Sequence, residues 1–190
     1  MIAPMILVAG LGRCGTTATC LLLRAGGAMM VDSPPTFESV PLAQRGAGWF
    51  EVNGGKVSKW LDPQLNRIPA EVQARTIWLH RDSMEQGRSM LKLIGQQPRR
   101  ATARVMARTI RADEPKGLAA AHRHGPVMIL NFETLVNDPA LAAWRIADFI
   151  APIVTIDPRA AQLAIAKRPS RCMPDMRIEA NLLQAFGAAG

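Results

Sequence analysis

"ILVAGLGRCGTT", residues 6–17, runs from an apolar stretch through a glycine-bearing turn into what reads as a helix from Thr16. Gly10 and Gly15 have the spacing of the nucleotide phosphate loop G-x-x-x-x-G-K-[ST], but Thr16 stands where the lysine belongs. A strand, a glycine turn and a helix in succession present free backbone N–H groups and the positive helix end to an anion. Gly12 and Gly15 let the backbone approach closely, the Thr16 and Thr17 hydroxyls can add hydrogen bonds, and Arg13 can supply the missing cation. Three readings stay open on this stretch alone: an NTPase loop without its lysine, an ordinary strand-to-helix turn, or a loop built for a different phosphate ligand.

Two further apolar runs, Thr76–His80 and Val127–Asn131, read with Met5–Ala9 as buried parallel strands. Each precedes a helical pattern. Thr16–Ala25 follows the first run and Met84–Ile94 the second. Ala140–Ile150 follows the third, with Asp138 as N-cap and Pro139 as first helical residue. Strand then helix, repeated, predicts an α/β fold, a three-layer parallel sheet with flanking helices. A short strand is expected at Val57–Trp60 and a helix between Arg99 and His124. The tail from Ala160 has helical character around the breaker Arg168-Pro169-Ser170. Residues 32–55 show little periodicity and read as a long functional loop. With no repeat and no linker in sight, the 190 residues are expected to form a single domain, 1–190.

The net charge is +8, mostly from arginine, whose planar fork suits phosphate and sulfate. Nucleic acid is an unfavoured partner: there is no tyrosine, other aromatics are few, and no tight Lys/Arg run occurs. Cys14, Cys20 and Cys172 are odd in number and lack C-x-x-C spacing, which argues against a disulfide framework or a zinc site. The opening MIAPMILVAG lacks a basic n-region and reads as a first strand, and no apolar run is long enough to span a bilayer. A cytoplasmic setting, with no membrane span and no metal, is the expectation.

"TIWLHRDSMEQGRSMLKL" places Arg81 at a strand end and Ser89 two helical turns on. In open α/β sheets ligands bind beyond the carboxyl ends of the strands, so both residues would share a rim with the glycine loop. Taken together, these segments resemble the sulfotransferases that use 3′-phosphoadenosine 5′-phosphosulfate (PAPS), over roughly residues 5–150. Arg13-Cys14-Gly15-Thr16-Thr17 looks like that family's 5′-phosphosulfate loop, with Cys14 in place of the usual serine. Arg81 and Ser89 match its 3′-phosphate pair in type and spacing. "GWFEVNGGKVSKWLDPQ" and "ILNFETLVNDPA" are similar to segments of bacterial members. The resemblance implies a sulfotransferase-like fold, related to P-loop NTPases. PAPS would be co-substrate, bound by Gly12, Arg13, Cys14, Gly15, Thr16, Thr17, Arg81 and Ser89, and the acceptor a small molecule or carbohydrate. Arg13 would bridge the 5′-phosphate and the leaving oxygen.

The acceptor hydroxyl needs a general base within hydrogen-bond reach. Glu38, in the long loop, is favoured over Glu51 in the Trp49-Phe50-Glu51 stretch; for both, the alternative is a solvated carboxylate. Lys59 can touch the transferred sulfate or be a solvated charge at a strand edge. His80 reads as a hydrogen-bonded core histidine rather than a base, and His122 and His124 lack partners for a metal. Lys167, Arg168 and Arg171 form a basic cluster that reads as solvated. Two rivals to the sulfotransferase reading remain. One is a nucleotide kinase or other NTPase with a variant loop and Glu133 as its magnesium-binding acid. The other is a non-catalytic anion-binding module.

Overall fold

β1 (Met5–Gly10) is buried along its whole length, which is why it reads as a continuous apolar run rather than an alternation. It is flanked by β2 (Val57–Leu61) on one side and β3 (Ala74–His80) on the other, and β4 (Val127–Asn131) pairs with β3. The computed structural model describes residues 3–167 and 170–171. In these residues the strands form an all-parallel, four-stranded sheet in the order β2-β1-β3-β4.

Seven α-helices among the described residues cover the two faces: α1 (Thr16–Ala25), α2 (Ala47–Val52), α3 (Ser83–Leu93), α4 (Arg100–His122), α5 (Phe132–Asn137), α6 (Pro139–Ile150) and α7 (Pro158–Leu163). Successive residues of a strand face opposite sides of a sheet. Ile6, Val8, Ile77, Leu79 and Leu130 accordingly pack with α1, α5, α6 and α7. Met5, Leu7, Ala9, Trp60 and Trp78 pack with Phe50 of α2 and Ala121 of α4. Each fully buried aliphatic side chain contributes about 1.5–3 kcal/mol, so the two layers fix the sheet between them.

Several expected elements shift in the structure. β4 forms the sheet edge rather than a fully buried strand, and Ile129 is 47% exposed. Residues 32–55 are not wholly irregular: they hold a 3-10 turn at Leu42–Gln44 as well as α2. That helix is too short to leave a periodic signal, and it is held by burial of Phe50 and by the Arg45 guanidinium 4.8 Å from the Trp49 ring. β3 begins two residues earlier than expected, at Ala74. The short helix α5 intervenes before α6, whose N-cap Asp138 accepts from the Leu141 N–H at 3.1 Å. Pro115 lies inside α4 without ending it. In the tail α7 spans Pro158–Leu163, whereas Arg168, Pro169 and Cys172 lie outside the described residues. No helix among the described residues is long and apolar enough to cross a membrane.

Candidate functional site

Parallel pairing brings the carboxyl ends of all four strands to one rim. Gly10 pairs with Leu61, and His80 with Asn131, so the segments that follow these strands meet there. The glycine loop crosses this rim from Leu11 to Gly15. Arg13 has φ 71° and Gly15, the N-cap of α1, has φ 111°. A Cβ on Gly15 would stand 2.6 Å from the Phe132 ring, so helix α5 can approach only because that side chain is missing. The first intrahelical bonds of α1 run from Thr19 to the Gly15 carbonyl. The N–H groups of the preceding turn therefore lack acceptors within the helix, as at any helix start.

Cys14 supplies volume rather than a phosphate donor. Its side chain is in the core, packed under Gly10, and burial pushes the thiol up to about 12. Cys20 is equally buried and its thiol is likewise pushed up to about 12. What Cys14 can offer a ligand is limited to its backbone.

On one flank of the loop stands Lys59, paired in β2 with Val8 and only 7% exposed. It is not a solvated strand-edge charge. Its Nζ donates to the Thr36 carbonyl at 2.9 Å and to Thr17 Oγ1 at 3.3 Å, and lies 3.6 Å from Glu38 Oε2. Phe37, between Thr36 and Glu38, has φ 55° and its ring is buried in the core. That anchor turns the neighbouring Thr36 and Glu38 toward the lysine.

On the other flank, Arg81 is 7% exposed and Ser89 is buried. Arg81 donates to the Arg13 carbonyl at 3.0 Å and to the Ser170 carbonyl at 3.1 Å, with its guanidinium 4.2 Å from the Phe132 ring centre. Arg13 Nε donates to Ser89 Oγ at 3.2 Å. The Arg13 side chain thus leans toward the Arg81–Ser89 flank, and Lys59 is the cation paired with Glu38.

Two residues of the rim went unnoticed in the sequence. Gln86 Nε2 donates to the Leu11 and Gly12 carbonyls at 3.1 and 2.8 Å, tying α3 to the loop. It lies one helical turn before Ser89, so the face expected for Ser89 already implied it. Asp62, just past β2, accepts from the Gly12 N–H at 3.2 Å. Burial raises its carboxyl above the usual range, partly offset by that bond and one from the Gln64 side chain.

Glu51 is not brought to the loop. It lies on α2 beside a cavity of about 200 Å³ lined also by Met5, Phe50 and Glu71. Met5 begins β1, so that cavity sits at the opposite end of the strand from the glycine loop, about 16 Å away at strand rise. Glu133 Oε1 accepts from the Asp82 N–H at 3.3 Å, and Asp82 itself caps α3 through the Met84 and Glu85 N–H groups. His80 is hydrogen-bonded as expected, Nδ1 2.5 Å from Glu114 Oε1, but it is not in the core: it ends β3, where the strand leaves the covered sheet, and its side chain is half-exposed. His124 is buried, with Nδ1 3.0 Å from the Val72 carbonyl, and His122 ends α4 exposed. Lys167 and Arg171 are exposed. No cluster of three metal-binding side chains occurs among the described residues. Compared with known proteins, the chain matches no protein-family model and no curated sequence.

Proposed function

We propose that the chain is a PAPS-dependent sulfotransferase, with a sulfotransferase-like variant of the phosphate-loop fold. The observation that carries this reading is the division of polar groups around one glycine loop. Arg13, Arg81 and Ser89 gather on one flank, and Thr17, Lys59 and Glu38 on the other. A nucleotide with a phosphate at each end of its ribose needs two anion sites. Buried Arg81 and Ser89 fit the 3′-phosphate, and the loop amides, which a Cβ at Gly15 would disturb, fit the phosphosulfate.

Transfer forms a bond from the acceptor oxygen to sulfur as the bond from sulfur to the 5′-phosphate oxygen breaks. The acceptor hydroxyl loses its proton to Glu38, which the neighbouring Lys59 keeps oriented. Lys59 and Thr17 stabilise charge on the sulfuryl oxygens. Fixed donors aimed at developing charge are the largest catalytic term in such sites, and a sulfuryl group carries little enough charge for amides, lysine and arginine to suffice.

Adenosine 3′,5′-bisphosphate is therefore expected to raise the melting temperature more than AMP or ATP, without Mg²⁺, by stabilising the folded state through binding. Equal shifts with AMP would remove the 3′-phosphate site. Glu38→Gln should lower turnover by about 10²–10⁴-fold with product-nucleotide affinity unchanged, whereas Glu51→Gln should leave turnover intact. The reverse outcome would move the base to Glu51.

A further inference from the structure

We infer that Asp62 sets the charge the glycine loop accepts, so that the loop prefers a phosphosulfate over a diphosphate of the same shape. The inference rests on the proposed function and names the basis of its donor selectivity. Asp62 reaches the loop because Leu61 pairs with Gly10 at the end of β2. Its own N–H donates to the Gly10 carbonyl at 3.0 Å, and its backbone takes the left-handed conformation, φ 49°, while its carbonyl accepts from the Leu65 and Asn66 N–H groups. The residue is thus clamped. Its carboxylate Oδ1 accepts from Gly12 N–H at 3.2 Å, inside the segment that would wrap the anion.

A loop evolved for the densest anions has reason to keep carboxylates away, because like charges at short range in a partly buried site repel strongly. Here one carboxylate occupies a loop amide. The terminal sulfate of a phosphosulfate carries a single negative charge, whereas a terminal phosphate near neutral pH carries about 1.5–2. The two groups have the same tetrahedral shape, so sterics cannot separate them. Asp62 can, through charge alone. The cost to a phosphosulfate is smaller because its terminal group carries less charge to be repelled, and Lys59 stands on the same flank of the loop to offset that single charge.

The test uses PAPS and its diphosphate counterpart, adenosine 3′-phosphate 5′-diphosphate, in metal-free calorimetry on the full chain. Both carry the 3′-phosphate, so only the terminal group differs. The unaltered protein should prefer PAPS by about tenfold or more, as expected for an added unit of like charge near a partly buried carboxylate. Asp62→Asn retains an oxygen that can accept from Gly12 but removes the charge; it should bring the preference below about threefold by tightening the diphosphate. Asp62→Glu should keep the preference. If Asp62→Asn fails to fold, Asp62→Ser, also neutral and able to accept, takes its place. A full preference retained in the neutral variant overturns the role of Asp62 and leaves the sulfotransferase reading standing. Failure of the unaltered protein to bind either nucleotide overturns that reading and this inference with it.

Discussion

Lys59→Met separates catalysis from folding at the centre of the site. Methionine keeps most of the lysine stem and loses the charge. Removing one member of a fully buried ion pair costs about 3–5 kcal/mol when the other charge stays stranded. Glu38 is not stranded: its side chain is 24% exposed and can turn to water. The lost pair then approaches the exposed-pair value of about 0–1 kcal/mol. The Thr36 carbonyl and the Thr17 hydroxyl lose one donor each, while the buried ammonium no longer has to be desolvated. These terms oppose one another, leaving a net change of about 1 kcal/mol or less, or about 2–4 °C in a chain of this size. Turnover should respond on another scale, because a fixed donor facing transition-state charge is worth about 10²–10³-fold. Sulfate release from PAPS with water as acceptor measures this without knowledge of the natural acceptor, and thermal melting provides the control. Glu38→Gln combined with Lys59→Met should lose more than either single variant, since one residue takes the proton and the other faces the sulfuryl oxygens, but less than the product of the two losses, since Lys59 also orients Glu38. A variant that melts like the parent and releases sulfate at the parent rate would refute the catalytic role. A fall in melting temperature well beyond that range would show that Lys59 is structural.

Arg81→Ala should abolish most of the affinity difference between adenosine 3′,5′-bisphosphate and AMP, a charge-assisted contact of about 1.5–3 kcal/mol, and calorimetry that finds the difference intact would reject the 3′-phosphate assignment. Gly15→Ala combines a positive φ with a Cβ 2.6 Å from the Phe132 ring, so it should destabilise by about 1–3 kcal/mol in denaturant titration, with partial relief from Phe132→Leu; a parental midpoint would contradict the packing. The Asp62 carboxyl is raised above 3.8 by burial, so the folded state holds its proton more tightly than the unfolded state. Its stabilising contribution is present below 3.8 and lost as pH rises through the folded value. Asp62→Asn should therefore gain stability relative to the parent as pH rises across that window, and an advantage that shrinks instead would reverse the sign of the argument.

The parallel sheet was legible because apolar runs without alternation mark strands of a covered sheet, and a helical pattern came after each; Gly15 opens α1, Asp82 caps α3, and Asp138 caps α6 only after the short α5. β4 looked equally buried, since nothing in Val127–Asn131 records whether another strand lies beyond it. The rim was legible for the same reason as the sheet. Once the strands are parallel, whatever follows Gly10 and His80 must share one end. Arg13 and Arg81 follow from this alone, and Ser89 needed in addition the helical spacing after Arg81.

The other flank depended on packing that local sequence does not encode. Glu38 and Glu51 were nearly equivalent as loop glutamates, yet one lies 3.6 Å from Lys59 and the other beside the start of β1. Two aromatic anchors decide this. Phe37 is buried in the layer with α1, which carries Glu38 toward Lys59 and Thr17, while Phe50 is buried in the opposite layer and holds Glu51 there. Lys59 belongs with the first group by parity: it is two residues from Val57, whose side chain enters the α1 layer, whereas Trp60 enters the other. The choice between two carboxylates thus reduces to which sheet face each neighbouring phenylalanine enters.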